Sequence, residues 1–335
     1  MANSMSQCAP LPWQVDHWQR LLNQYQQNHL PHALLLSGHA GTGKRLFAQA
    51  LAESLLCSQP VDGKACGQCK GCHLLSAGTH PDFIEISTEE KSRVIKVDQI
   101  RALKTFCGKT AQLNGYKVII LQPADCLNIS SANALLKDLE EPQPNTVFIL
   151  VSDQPAQIVA TIRSRCHQLD FGVPSVGQAT QWLAEQGVSN DTLPQLLVMA
   201  DNAPLLALQL YEEQALEKRK TIYRGLAEVQ QGKSHPAGVA QSLQQYEPLD
   251  VVQWLQVWVA DVIKAAQVAD EKQLKNQDLA GFLMKTAEQA QLNRLYLYLD
   301  SLQQHRQALL SGHNPNKILL LESLLISWAQ CFEYH

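Results

Sequence analysis

Short apolar runs punctuate the first half of the chain: HALLLSG at 32–38, DFIEIS at 82–87, KVIILQ at 117–122 and TVFILVS at 146–152. Each is bounded by Gly, Pro or polar residues and separated from the next by a segment of helical spacing. That is the pattern of strands buried on both faces of a parallel sheet. An α/β domain over residues 1–171 is expected. Beyond residue 172 the strand-like runs disappear. Val251, Trp254, Leu255, Trp258 and Val262 recur at helical spacing, as do Leu292, Leu295, Leu299 and Leu302, and KILLLESLLISWAQ is a strongly apolar helix. GVPSVG at 172–177 has the composition of a hinge. A small helical unit over 172–212 and a larger helical domain over 213–335 are therefore expected.

Composition narrows this picture only slightly. With 45% apolar and 17% charged residues the chain is globular rather than disordered. No apolar run approaches the roughly 18 residues of a membrane span. The opening MANSMSQCAPLPWQ lacks a basic stretch followed by an apolar one, so a cytoplasmic location is expected. A net charge of -4 argues against a surface that grips nucleic acid throughout. Contact with DNA would have to be local or shared.

After the first strand comes GHAGTGKR, residues 38–45, and then a helix on which Phe47, Ala50, Leu51, Ser54 and Leu55 share a face. Strand, glycine loop and helix form the context a P-loop requires. Gly38, Gly41 and Gly43 would let backbone N–H groups wrap phosphate oxygens, and Lys44 would reach the outer phosphates. The next residue should be a Ser or Thr that holds magnesium, but it is Arg45, a permanent cation with no acceptor. The strand KVIIL should be followed by an acid that positions the metal. It is followed by Gln122 and Pro123, and Asp125 lies too far along, where capping a turn or helix is expected. Hydrolysis by this chain is thus disfavoured at two independent positions. Whether ATP or ADP occupies the loop, or the loop is only a relic turn, stays open.

Nine cysteines are present, and Cys57, Cys66, Cys69 and Cys72 crowd into C-x8-C-x2-C-x2-C. Four soft ligands at this spacing suit tetrahedral zinc, and such a closed site is structural because no position is left for water or substrate. An iron–sulfur cluster or free buried thiols are the alternatives. Cys8, Cys107, Cys126, Cys166 and Cys331 are expected to be ordinary small core residues. After TVFILVS comes Ile162-Arg163-Ser164-Arg165-Cys166. An arginine there is placed to meet the ATP of a packed neighbour, although spacing alone favours a solvated arginine or an internal salt bridge.

The P-loop with its inserted four-cysteine module, GTHPDF at 78–83, SANALLKDLEEPQP at 131–144 and SRC at 164–166 together resemble the clamp-loader branch of AAA+ proteins, across the whole chain. The resemblance implies an AAA+ domain at 1–171 with a zinc module at 57–72, a helical lid at 172–212 and a helical collar at 213–335 through which subunits assemble. It implies that Arg165 is an arginine finger acting in trans. The departures matter equally. Motor subunits of the branch carry GKT or GKS and a DE pair, where this chain has Gly43-Lys44-Arg45 and Gln122-Pro123. Their second sensor arginine is absent, Asn202-Ala203-Pro204 being followed by Leu205. With three ATP-handling features missing and the finger kept, the resemblance implies a noncatalytic subunit of the DNA polymerase III clamp loader. Its partners would be gamma/tau-type motor subunits, a clamp-opening delta subunit, and the sliding clamp and primed DNA through the complex. The rival readings are an active AAA+ ATPase and a zinc-dependent nucleic-acid module, the latter with only Lys64, Lys70 and His73 to offer a phosphate backbone.

Overall fold

The computed structural model describes residues 9–89, 94–113, 115–268, 270–311, 313 and 315–332. The chain forms two compact units, Met1–Gly187 with Asn202–Ala207, and Val188–Asp201 with Leu208–His335.

The first unit is built on a five-stranded parallel sheet: β1 (Ala33–Gly38), β2 (Phe83–Ile86), β3 (Lys117–Leu121), β4 (Thr146–Ser152) and β5 (His167–Phe171), in the order β2-β3-β4-β1-β5. Its helices are α1 (Val15–Gln26), α2 (Lys44–Leu56), α3 (Lys70–Ser76), α4 (Val97–Cys107), α5 (Ile129–Glu140), the single turn α6 (Ala160–Arg163) and α7 (Val176–Glu185). Side chains alternate across the strands and so supply two cores. Leu34, Leu36, Ile120, Ile149 and Leu169 pack against Trp18 and Leu21 of α1 and Phe47 and Leu51 of α2. On the other face, Leu35, Ile119, Leu121, Phe148 and Leu150 meet Ile100 and Leu103 of α4 and Leu135 and Leu139 of α5.

The four apolar runs of the sequence are β1 to β4. β5 was not among them. Among the described residues it is an edge strand paired only with β1, and its burial alternates, with Leu169 and Phe171 inward and His167, Gln168 and Asp170 exposed. Two apolar residues in five are too few to mark a strand by hydrophobicity.

The second unit is helical: α8 (Leu193–Met199), the body of α9 (Pro204–Glu212), α10 (Ala215–Gln230), α11 (Pro236–Leu243), α12 (Pro248–Val268), α13 (Ala280–Gln289), α14 (Leu292–Leu310) and α15 (Lys317–Ala329). α12 lies against α13 and α14, and α15 against α10 and α11. Val251, Leu255, Trp258 and Val262 of α12 form one buried stripe with Leu295 and Leu302 of α14. Trp328 is buried among them, its indole N–H donating to the Leu226 carbonyl at 3.2 Å. The buried Asp261 accepts the backbone N–H groups of Lys275 at 3.0 Å and Asn276 at 2.8 Å, so the irregular stretch before α13 has its buried polar groups paired. No helix among the described residues is long and apolar enough to cross a membrane. Cys107, Cys166 and Cys331 are buried, as expected of core residues, and Cys126 is half-buried. Cys8 lies outside the described residues.

Candidate functional site

The carboxyl ends of β1, β3 and β4 converge, as they do where open parallel sheets bind ligands. Gly38 ends β1, Gln122 follows β3 and Asp153 follows β4. The register pairs Ser37 with Ser152, which sets Asp153 level with Gly38 at the start of the glycine loop. A cavity of about 680 Å³ opens here, lined by Gly41, Gly43, Lys44, Arg45, Glu85 and Asp153 among others. Its size is that of a small-molecule pocket.

The loop is gripped by its own protein. Gly41 and Gly43 have φ of +76° and +87°, the left-handed region that favours glycine. A Cβ on Gly41 would stand 2.7 Å from the Cβ of Leu206, and one on Gly43 would stand 2.4 Å from Cδ1 of Leu11. The intervening Thr42 carbonyl accepts the Trp13 indole N–H at 2.9 Å and the Gln14 amide at 3.0 Å. The Gly41 carbonyl accepts the Leu205 N–H at 3.1 Å. These glycines make room for leucines of the same chain.

Lys44 is almost wholly buried, its side chain 2% exposed. Its ammonium lies 2.6 Å from Oδ1 of Asp153 and donates to the carbonyls of Gly38 at 2.9 Å and His39 at 2.6 Å. Arg45, in the magnesium-ligand position, reaches Oε1 of Glu85 on β2 at 3.5 Å, and the side-chain amide of Gln122 donates to that same oxygen. Asp125 sits in the turn Ala124–Cys126, where its carboxylate accepts the Ser152 hydroxyl at 2.5 Å. Leu205 also lines the pocket. A magnesium–nucleotide therefore does not fit these residues. The two positions that should favour a divalent cation carry a guanidinium and a neutral amide.

Sequence reasoning had the loop and the two wrong residues but not the acids that engage them. Asp153 could have been suspected, being the first residue after the strand TVFILVS. Glu85 gave no comparable signal, because it lies inside the run DFIEIS.

The four cysteines converge. Their sulfur atoms all lie within 4.8 Å of one another, with Cys57–Cys69 at 3.8 Å, Cys66–Cys72 at 4.0 Å and Cys69–Cys72 at 3.5 Å. A tetrahedral ion with bonds of about 2.3 Å sets its sulfurs about 3.8 Å apart. Cys57 ends α2, Cys69 caps α3 and Cys72 lies one turn into it. The Cys66 N–H points at Cys57 Sγ at 3.2 Å, and those of Cys69 and Cys72 point at Cys66 and Cys69 Sγ at 3.4 Å each. Amides aimed at sulfur stabilise thiolates. Burial and a hydrogen bond with Cys69 push the Cys72 thiol up to about 12. Burial also opposes ionisation of Cys69, but hydrogen bonds from Ser58 and the Cys72 amide bring it down to about 5. The residues fit a four-coordinate soft metal ion.

Arg165 follows α6 and its side chain is one-third exposed, at 34%. Its Nε donates to Oε1 of Glu140 at 2.7 Å and one terminal nitrogen donates to the Thr161 carbonyl at 2.9 Å. Glu140 is the last residue of α5, so the LEEP segment and the SRC segment meet through this pair. Within the chain the guanidinium is in an internal salt bridge at the surface.

Comparison with known proteins extends over nearly the whole length. Residues 13–175 match the family model described as DNA polymerase III, delta subunit, and residues 213–330 match DNA polymerase III, delta subunit, C terminal. DNA polymerase III subunit delta' of Pseudomonas aeruginosa is 36% identical over 320 residues, covering 95% of this chain and 97% of that one. The subunit delta' of Escherichia coli K12 is 33% identical over 320 residues, 94% of each chain. DNA polymerase III subunit tau of Bacillus subtilis is 38% identical over 152 residues, 45% of this chain and 26% of its own. Relatives aligned almost from end to end, on both sides of the break between the two units, decide the assignment: the chain belongs to the delta' subunit family of DNA polymerase III.

Proposed function

We propose that this chain is a non-hydrolysing subunit of the DNA polymerase III clamp loader, which assists ATP-dependent loading of the sliding clamp onto primed DNA by completing a neighbouring subunit's ATP site. The observation that carries the reading is the contrast between two cations. Lys44 is locked inside the chain's own pocket by Asp153, while Arg165 stands at the surface at the end of the α/β core. The first cannot serve a nucleotide without losing its partner. The second has to leave only the surface carboxylate of Glu140 and the Thr161 carbonyl to reach outward, and an arginine finger in trans stabilises the charge of phosphoryl transfer.

Its partners in this reading are gamma/tau-type motor subunits and the delta subunit, with the clamp and primed DNA engaged through the complex. Residues 1–171 serve as the AAA+ domain, 172–212 as the lid and 213–335 as the collar. Leu297 on α14 and Leu319 on α15 are 69% and 64% exposed, which supports the collar as an assembly surface, since exposed large apolar residues on packed helices favour a covering partner. Zinc held by Cys57, Cys66, Cys69 and Cys72 orders the insertion between α2 and α3 and takes no part in chemistry.

The test is ATP hydrolysis by the isolated chain and by the complex reconstituted with its cognate motor and delta subunits, clamp and primed DNA. We expect no turnover by the chain alone. Arg165→Ala should lower turnover at the site this chain completes by on the order of 10³-fold with assembly intact. Robust turnover by the isolated chain would establish the rival reading, an active ATPase, and unchanged turnover in the variant complex would remove Arg165 from the finger role.

A further inference from the structure

We infer that Asp153 is a built-in anion that closes the P-loop pocket, and that neutralising it opens the pocket to the phosphate chain of a nucleoside triphosphate without a divalent metal.

An ammonium has three N–H donors and no more. In Lys44 one faces the Gly38 carbonyl, one the His39 carbonyl and the third the Asp153 carboxylate. The two carbonyls belong to the backbone that starts the loop and cannot withdraw. Asp153 can, because its side chain is 52% exposed whereas that of Lys44 is 2% exposed. A carboxylate offers a lysine what a phosphate oxygen offers, a negative charge with free lone pairs. Asp153 therefore competes with phosphate for the one exchangeable donor, and as a tethered group it competes at high effective concentration.

The rest of the pocket makes the charge of Asp153 decisive. Arg45 is 71% exposed and only loosely engaged with Glu85 at 3.5 Å, so its guanidinium is available to an incoming phosphate. A guanidinium favours phosphate by paired, charge-assisted hydrogen bonds. With Asp153 neutral, the loop would present Lys44 and Arg45 together beside a cavity of about 680 Å³. A magnesium ion gains nothing there. The position of its usual Ser or Thr ligand is held by Arg45, which repels it, and Gln122 after β3 is already donating to Glu85.

The pocket is the one read above as silent, and the inference rests on that reading of Arg45 and Gln122 but not on the role of Arg165. The experiment is calorimetric titration of the purified full-length chain with ATP in EDTA, repeated with magnesium. We expect no saturable binding by the natural chain up to millimolar ATP. Asp153→Asn, which keeps the side-chain shape, and Asp153→Ala should bind at least tenfold tighter, with no further gain from magnesium. The double variant Asp153→Asn with Lys44→Ala should fall back to the natural chain's behaviour. Submillimolar binding by the natural chain overturns the proposal. So does Asp153→Asn binding no tighter while it remains folded at the temperature of the titration, a gain that survives loss of Lys44, or a gain seen only with magnesium. Arg165→Ala added to Asp153→Asn should leave the binding gain intact, which separates failure of this inference from failure of the finger reading.

Discussion

The cysteine cluster and the P-loop lie at opposite ends of one helix, α2, and each bears a sequence motif for a ligand, yet the two have opposite internal states. At Cys57, Cys66, Cys69 and Cys72, four ligand atoms converge to within 4.8 Å with backbone amides aimed at them, an arrangement whose geometry points to a metal ion. At Lys44 and Arg45 the motif's cations already face acids of the same chain, Asp153 and Glu85. The difference teaches that a motif states which groups are present but not what they face. The cysteine ligands all fall within sixteen residues and must face each other. The P-loop's counter-charges arrive from β2 and the end of β4, so the state of the loop is decided by the sheet.

Metal removal should separate the two regions most strongly. Structural zinc contributes apparent binding energies of about 10–16 kcal/mol in small peptides. Chelation, or Cys69→Ser, is expected to abolish hydrogen-exchange protection across residues 57–76 while the strands β1, β3 and β4 stay protected. The ligands must be thiolates, and the Cys72 thiol without metal lies up at about 12. Protons therefore compete with the ion, and affinity should fall steadily as pH is lowered. Metal content after dialysis at stepped pH measures this. The same chelator should leave Lys44, Asp153 and the surrounding pocket unaltered, and a loss of protection spreading through β1 and β4 would break the comparison.

Much of this contrast was legible in advance, and the limits have physical causes. The strands β1, β3 and β4 were visible because both faces of each are covered, which forces continuous apolar runs, and the edge strand β2 was visible because three of its four residues are apolar. The cysteine cluster was visible because its ligands are local. β5 escaped because an edge strand with one wet face needs only Leu169 and Phe171 inside. Asp153 and Glu85 escaped because their meaning depends on strand order: β4 beside β1 sets Asp153 level with Gly38, and β2 beside β3 brings Glu85 to Gln122. The salt bridge at Arg165 was among the alternatives its spacing left open, while Glu140 as the partner required the fold.

A smaller effect sharpens the P-loop side. If Gly41 serves leucine packing, replacing it should damage stability rather than any ligand response. Its φ of +76° and the 2.7 Å and 2.9 Å approaches of Leu206 Cβ and N leave no relaxed place for a methyl group. Gly41→Ala should cost about 2 kcal/mol, seen in urea unfolding of the isolated chain without nucleotide. An unaltered midpoint would mean that the loop relaxes freely and is not gripped by the segment around Leu205 and Leu206.

The smallest effect tests the contrast between the two cations. Lys44–Asp153 and Arg165–Glu140 have the same chemistry, an ammonium or guanidinium on a carboxylate, and they differ in where the cation lies. Breaking the first leaves a buried charge with one partner fewer, a costly state unless an anion replaces it. Breaking the second leaves two groups 34% and 47% exposed, each able to turn to water. Glu140→Gln should therefore change the unfolding free energy by less than about 1 kcal/mol, and that small change should shrink further at high salt. Arg165 would still donate to the Thr161 carbonyl. A loss of several kcal/mol would mean that Arg165 is fixed in the core's edge as firmly as Lys44 is in the pocket, and a guanidinium so fixed is not one that swings toward a neighbour's phosphate.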